Sequence, residues 1–93
     1  MSKKIKAKYY FYILKCRDQT LYCGITKDLN QRQRVHNSGH GSKYVRAHGG
    51  GRIKYSEIYK TIGEALRREI EVKKWPRVKK LELLKRDKKS LAS

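Results

Sequence analysis

The chain has 93 residues, a length that fits one domain and leaves no room for a second. Its 25 Lys and Arg residues against 8 Asp and Glu residues give a net charge of +17, so a polyanion, nucleic acid above all, is the expected partner. No segment approaches the roughly 20 apolar residues that cross a bilayer. The basic start of the chain also lacks a signal-peptide core. We therefore expect a cytoplasmic protein with no membrane partner.

A β-hairpin is predicted after a basic arm at residues 1–8. Tyr9 to Cys16 is rich in aromatic and branched residues and predicts a strand. Residues 17–20 are polar and predict a turn, and Leu21 to Ile25 predicts the returning strand. Gly24 in that second strand indicates a close backbone approach.

The first helix is predicted to begin after Asp28, with Gln31 as its partner in a capping-box-like pair, and to run to about Asn37. Gly39 stands just past its end as a stop. Residues 39–51 contain five glycines and several basic residues. This stretch predicts a long, flexible, basic loop.

A third strand and a second helix follow the loop. Ile53 to Tyr59 predicts the strand. Thr61 and Glu64 form a capping box that opens a helix over about Ile62 to Trp75. Pro76 ends this helix and can occupy the first turn of the next one.

A third helix is indicated by the apolar stripe of Val78, Leu81 and Leu84, and residues 85–93 predict a charged, weakly ordered tail. The domain itself is thus predicted over residues 9–84. The order of elements favours an α+β fold, in which helices flank a small three-stranded antiparallel sheet.

One acidic residue of the second helix stands out. Its helical spacing places Glu69 in the middle of a broad apolar face, opposite Glu64 and Glu71. This face consists of Ile62, Ala65, Leu66, Ile70 and Val72. A carboxylate on such a face must be paired, protonated or bound to a cation. A structural ion pair with an arginine of the first helix is the alternative to a functional role.

The first helix has few apolar residues, and one of its faces is formed by Leu29, Arg32, Gln33 and His36. Either this helix is mostly solvated, or its inward face lines a polar site. The arginine favours a phosphate site, because its planar fork matches phosphate oxygens.

Tyrosines and cysteines of the hairpin have two interpretations each. Tyr9, Tyr10, Tyr12 and Tyr22 are expected to pack with wet hydroxyls, and the alternative is that they stack on bases. Cys16 and Cys23 are expected to be half-buried thiols. The spacing of His40 and His48 matches no zinc pattern, so a structural metal is not expected.

Four segments occur in a characteristic order: Tyr10-Phe11-Tyr12, then Tyr22-Cys23-Gly24, then Asn30-Gln31-Arg32 with Val35-His36-Asn37, and finally Ala65-Leu66-Arg67-Arg68-Glu69. In this ordered set the chain resembles the GIY-YIG nuclease superfamily, and in particular its small single-domain bacterial members, over about Tyr9 to Leu84. It departs from the pattern in having Tyr10 in place of a glycine, Cys23 in the middle of the second motif, and Ile25 where some members have a lysine.

The resemblance implies an endonuclease that hydrolyses phosphodiester bonds with one divalent cation, Mg²⁺ or Mn²⁺. Glu69 would hold the cation, whose other ligands would be water and phosphate oxygens. Tyr12 and Tyr22 would orient or deprotonate the attacking water, with nearby positive charges lowering the tyrosine pKa. Arg32 would stabilise charge on the phosphate, and His36 would assist proton transfer or contact the phosphate.

The expected substrate is nucleic acid, with DNA preferred over RNA, and the basic residues expected to contact it are Lys27, Arg34, Lys43, Arg46 and Arg52. The alternative is a basic DNA- or RNA-binding protein with weak or no cleavage activity. Glu69 favours the nuclease, because a pure binding protein needs no acid among basic residues. Family nucleases often select substrates through an added domain, so we expect weak intrinsic activity or a protein partner that supplies specificity.

Overall fold

The structure is a computed structural model that describes residues 8–92, with side chains through Arg86. Its elements in chain order are β1 (Tyr9–Cys16), β2 (Leu21–Thr26), α1 (Leu29–Asn37), α2 (Lys43–Ala47), β3 (Gly51–Tyr59), α3 (Ile62–Lys73) and α4 (Arg77–Ala92). The predicted α+β fold is confirmed. Apart from Lys8, the predicted basic arm lies outside the described residues. Among the residues described, none of the helices combines the length and apolar character needed to span a bilayer.

The sheet has the order β2-β1-β3, with β1 in the centre and antiparallel to both neighbours. The predicted hairpin is therefore confirmed. In its turn, the backbone N–H and the hydroxyl of Thr20 donate to Asp18 Oδ1 at 3.1 and 2.7 Å, and Gln19 has a positive φ of 78°. β3 begins at Gly51, earlier than predicted.

Helices cover both faces of the sheet, because alternate residues of β1 point in opposite directions. Phe11 and Ile13 pack against α3 and α4 in one cluster with Val72 and Leu83. On the other face Tyr12, Leu14 and Cys16 pack against α1 and α2 in a second cluster, which also includes Val45 and Leu29. A polar site on the second face is thus separated from the main apolar core by the central strand.

The helix α1 begins and ends where predicted. Asp28 caps it by accepting a hydrogen bond from Gln31 N at 3.0 Å, and Gly39 follows its end with a φ of 84°. The backbone N–H of Asp28 itself donates to Thr26 Oγ1, so Gln31 does not complete a capping box. Gln33 holds α1 to the outer edge of β3: its side chain donates to Gly51 O at 2.7 Å and accepts from Ile53 N at 2.6 Å.

The prediction of a continuous loop over residues 39–51 is wrong, because α2 lies within it. Ser42 caps α2 by accepting from the backbone N–H groups of Tyr44 and Val45. The side chain of Val45 is fully buried and anchors the turn to the sheet. A helix this short has almost no periodicity of its own, and flanking glycines conceal it in the sequence.

The predicted apolar face of α3 is wrong in most of its members. Ala65 and Val72 are fully buried, whereas Ile62, Leu66 and Ile70 are 49%, 39% and 55% exposed. The helix packs on the narrow stripe that joins its two buried residues, and its broader apolar flank stays in solvent. The predicted capping box between Thr61 and Glu64 is confirmed, and the helix ends at Lys73 rather than Trp75.

The helix α4 starts directly after Pro76, as predicted. Its buried contact is Leu83, however, while Val78 of the predicted stripe is 62% exposed. The backbone of α4 continues through the region where a weakly ordered tail was predicted and ends at Ala92.

Candidate active site

Two buried residues from different elements meet between β1 and α1. The hydroxyl of Tyr12 lies 2.9 Å from Nε2 of His36, within hydrogen-bond distance. Tyr12 is 2% exposed and His36 is 3% exposed. The second ring nitrogen of His36, Nδ1, is also buried and has no hydrogen-bond partner among the described residues. Because an unsatisfied buried nitrogen lowers stability, this pair points to a role beyond packing.

Two glycines make room for this pair. Gly24 on β2 lies opposite Tyr12 on β1, and a Cβ atom at Gly24 would stand 2.7 Å from the Tyr12 hydroxyl oxygen. A Cβ atom at Gly41 would stand 2.7 Å from His36 Nδ1. The close approach that Gly24 indicated in the sequence is thus confirmed: it is made by the ring of Tyr12.

Tyr22 and Arg32 lie beside the pair. The Tyr22 ring centroid is 6.4 Å from that of Tyr12 and 5.6 Å from that of His36, which it meets edge-on. Arg32 is half-buried one turn before His36, and its charge reaches both Tyr12 and His36. Within residues 8–86 the Arg32 guanidinium forms no ion pair, so its charge is available to an anion. Since His36 is buried and Arg32 is half-buried, this face of α1 is not fully solvated.

Glu69 approaches from α3, which packs against β1 and β2. Its side chain is 16% exposed, and Lys73 one turn later lies 3.2 Å from Oε2. The negative charge of Glu69 contributes to raising the pKa of both Tyr12 and Cys23. The predicted inward position of Glu69 is confirmed, and its ion-pair partner is a lysine of its own helix instead of an arginine of α1.

The protonation of the central pair follows from burial. Burial, followed by the charge of Tyr22, raises the pKa of Tyr12 well above its usual range, and the charge of Arg32 offsets only part of this. Burial, followed by the charge of Arg32, lowers the pKa of His36. At neutral pH the site therefore contains a neutral phenol beside a neutral imidazole. The charge of Arg32 lowers the pKa of Tyr12 in the predicted direction, but among the protein's own groups burial outweighs it.

The basic residues predicted to bind nucleic acid lie on several different elements of the fold. Lys27 lies over the Tyr9 ring at 5.6 Å and at the opposite end of β1 from Arg52. Arg46 donates to the backbone oxygen of Gly39. The remaining two are exposed on the helices α1 and α2: Arg34 and Lys43. Neither α1 nor α2 contains the whole predicted set.

A row of aromatic side chains that sequence analysis missed extends from the site. Tyr44 on α2 stacks on Tyr22 at a centroid distance of 5.7 Å and contacts the His48 ring at 4.2 Å. His48 in turn forms an ion pair with Asp18 in the hairpin turn. Only the short helix α2 brings these residues together, and its absence from the prediction explains why they were overlooked.

The cysteines support no metal site. Cys16 and Cys23 are free, and both are buried rather than half-buried as predicted. Burial raises the pKa of both thiols, which makes them unreactive. In the part of the chain that the structure describes, no three His, Cys, Asp or Glu residues converge as metal ligands.

Comparisons with known proteins identify the family of this chain. The family model described as the GIY-YIG catalytic domain matches residues 8–82. The chain belongs to the GIY-YIG family. The match runs from β1 into the first part of α4, so it includes every residue of the candidate site.

Named relatives of this GIY-YIG domain are UPF0213 proteins. Those of Staphylococcus aureus strains Mu50 and N315 are each 46% identical to it over 77 residues, which cover 83% of this chain and 94% of theirs. The solution NMR structure of a UPF0213 protein from Bacillus halodurans is 40% identical and superposes with a TM-score of 0.54, covering 84% of this chain and 83% of that one.

Proposed function

We propose that this protein is a divalent-metal-dependent endonuclease that hydrolyses phosphodiester bonds in nucleic acid, with DNA preferred over RNA. Membership of the GIY-YIG family supports the nuclease class. The observation that carries the proposal is the buried Tyr12–His36 hydrogen bond, which lies within reach of the charges of Arg32 and Glu69. Such a set of a cationic, an acidic, an imidazole and a phenol side chain is suited to phosphoryl transfer.

Glu69 is the residue that would hold a divalent metal. A single shielded carboxylate fits Mg²⁺ or Mn²⁺, which are commonly held by one or two carboxylates with water and substrate phosphate oxygens. It does not fit Zn²⁺, which needs three or four protein ligands. When bound, the metal would neutralise charge on the phosphate oxygens and the leaving group.

The other side chains divide the remaining work. Arg32 stabilises the charge that accumulates on the phosphate. Tyr22 is half-buried, and its hydroxyl makes no hydrogen bond within residues 8–86, so this hydroxyl contacts the attacking water. Tyr12 remains protonated and, with the His36 proton on Nδ1, donates to Nε2, which leaves its oxygen lone pairs to orient the same water. His36, neutral at physiological pH, is then the acceptor at the end of this hydrogen-bonded chain.

The second candidate function is nucleic-acid binding without efficient cleavage, for which a separate protein partner would supply activity or specificity. The Glu69–Lys73 ion pair favours it, because the lysine occupies the carboxylate that a metal needs. The net charge of +17 supports binding under either function.

Cleavage of supercoiled and single-stranded DNA and of RNA, each with Mg²⁺, Mn²⁺ or EDTA, tests the proposal. Glu69→Gln should abolish metal-dependent cutting and retain binding, whereas Glu82→Gln, an exposed acid on α4, should cut like wild type. Equal cutting by wild type and Glu69→Gln, or no cutting of any substrate, would refute the nuclease.

A second experiment tests the role of Lys73, the ion-pair partner of Glu69. If Lys73 competes with the metal, Lys73→Gln should lower the Mg²⁺ concentration required for half-maximal cleavage. An unchanged or higher requirement would mean that the ion pair does not oppose metal binding, and it would remove the observation that favours the second candidate.

A further inference from the structure

A basic cleft of about 490 Å³ lies where the end of β1 meets the start of β3. Four cationic side chains line it: Lys15, Arg17, Arg52 and Lys54. The rest of its lining is uncharged and consists of Cys16, Gln19, Asn37, Gly49, Gly50 and Gly51. The cleft shares no residue with the candidate active site. We call this surface the β1–β3 cleft.

The strand register brings its charges together. Lys15 and Arg52 lie directly opposite each other in the β1–β3 ladder, a like-charge pair that destabilises a sheet. A register shift beside Leu14 leaves Lys54 as an extra residue without a partner on β1, and such bulges redirect side chains locally. The fold therefore concentrates positive charge here at a cost in stability.

The four cations have no acidic partner in the described structure. Among residues 8–86 none of them forms an ion pair, and no acid lines the cleft. Asp18, the acid next in sequence to Arg17, is already engaged by Thr20 and His48. Repulsion among charges this close is relieved when an anion binds between them.

Glycines shape the wall of the cleft. Gly49 and Gly50 have φ values of 89° and 78°, in the left-handed region that side chains other than glycine rarely adopt. A Cβ atom at Gly49 would stand 3.2 Å from Arg17 Cβ. The glycine backbone therefore lies directly against the stem of Arg17 and leaves the opening above it clear.

The aromatic row joins this cleft to the candidate active site. Starting at His36, the ring-to-ring steps to Tyr22, Tyr44 and His48 are 5.6, 5.7 and 4.2 Å. The row ends at His48, which precedes Gly49 of the cleft, and Asn37 of the cleft directly follows His36. Both ends of the row are thus adjacent in sequence to residues that line the cleft.

We infer that the β1–β3 cleft binds a backbone phosphate of the nucleic acid, a few nucleotides from the phosphodiester at the candidate active site, with the strand passing along the aromatic row. The inference rests on the proposed substrate class but not on the cleavage chemistry. It adds one defined anion site to the basic residues predicted from sequence, of which Arg52 alone lines the cleft.

Binding of a fluorescein-labelled DNA oligonucleotide in EDTA, followed by anisotropy over a range of salt concentrations, tests this inference. The double variant Arg17→Gln/Lys54→Gln removes two charges from the cleft and keeps long side chains. The control Lys60→Gln/Lys74→Gln removes two exposed charges that do not line the cleft. Because a lost phosphate contact lowers the slope of log K against log salt by about 1, the cleft variant should lose up to about 1 and the control much less.

The outcomes separate this inference from the proposed nuclease. If both double variants lose the same slope, or neither does, the cleft is no site and the inference fails, whatever the cleavage assay shows. If the cleft variant alone loses affinity but wild type cuts no substrate with any metal, the cleft stands and the nuclease fails. Thermal unfolding of each variant confirms that the comparison is between folded proteins.

Discussion

The hydroxyl of Tyr12 and Nε2 of His36 lie 2.9 Å apart, and both side chains are almost completely buried. One residue comes from the central strand and the other from a helix packed on it, so their contact depends on the position of α1. Since His36 Nδ1 has no partner in the described structure, the Tyr12 hydroxyl provides the only protein hydrogen bond to this ring.

Tyr12→Phe removes that hydrogen bond and keeps the ring. Leaving a buried imidazole without partners should reduce the free energy of unfolding by about 1–3 kcal/mol. If the pair acts in catalysis, single-turnover cleavage of the folded variant should also slow by about 100-fold or more. Urea unfolding and quenched cleavage assays measure the two effects. Tyr10→Phe, the neighbouring half-buried tyrosine, should change neither, and wild-type cleavage by Tyr12→Phe would show that the pair is structural only.

The lowered pKa of His36 predicts how stability depends on pH. The folded protein releases the His36 proton more readily than the unfolded chain, in which a histidine has a pKa of about 6.5. Unfolding therefore takes up a proton under mildly acidic conditions. The contribution of neutral His36 to the free energy of unfolding is complete above the pKa of the unfolded chain. It is lost as the pH falls through the pKa of His36 in the folded protein. Urea midpoints in EDTA should therefore decrease below about pH 6.5 in wild type.

A histidine variant isolates this effect. His36→Gln should flatten the pH dependence, and the exposed His40→Gln should retain it. Hydrogen bonds from Thr20 and His48 lower the pKa of Asp18 to about 2, so its titration falls outside the window. An unchanged slope in His36→Gln would mean that another group controls the acid response.

The elements whose signals are local could be predicted from the sequence. The bounds of β1, the Asp28 cap of α1 and the capping box of α3 agree with prediction because each depends on residues next to it in the chain. The inward position of Glu69 was predicted from an apolar face that turned out to be mostly exposed. It was correct because Glu69 lies between Ala65 and Val72, the two residues that pack on the sheet.

Contacts between distant segments could not be predicted in this way. The Gln33 side chain forms the hydrogen bonds with Gly51 and Ile53 that a neighbouring strand would otherwise form. The sequence of α1 does not indicate which backbone groups this side chain contacts. The approach of Tyr44 and His48 to the site depends on a single turn of helix whose anchor is one buried valine. The sequence therefore indicated the catalytic candidates but not the row and cleft that extend from them.

A glycine is required at position 24 because the Tyr12 ring lies against it, and not because of its own backbone conformation. Gly24→Ala should push the Tyr12 ring away from His36, since the new Cβ atom would lie 2.7 Å from the hydroxyl oxygen and 2.8 Å from Cζ. Overpacking of this kind costs about 1–3 kcal/mol. Gly63→Ala on α3 meets nothing closer than 3.9 Å and should instead stabilise the protein by about 0.5–1 kcal/mol. Thermal unfolding of both variants tests the contrast, and equal effects would contradict it.

Glu57 is a shielded carboxylate like Glu69, but it is fully engaged by its neighbours. Arg68 donates to both of its oxygens at 2.9 Å, and the hydroxyls of Tyr55 and Tyr59 donate as well. Although burial raises the pKa of Glu57, these hydrogen bonds outweigh it and lower the pKa overall. Both carboxylate oxygens are occupied by hydrogen bonds and are not free to bind a metal. We therefore assign Glu57 a role in stabilising the fold.

Glu57→Gln should therefore reduce the free energy of unfolding by about 2–4 kcal/mol, because it leaves the Arg68 guanidinium without its bidentate partner. Glu71→Gln, which removes only the exposed contact of Arg68, should cost less than about 1 kcal/mol. Urea unfolding gives both values, and cleavage per folded molecule should remain at the wild-type level in each variant. A folded Glu57→Gln protein that loses metal-dependent cleavage would transfer the proposed metal-binding role from Glu69 to Glu57.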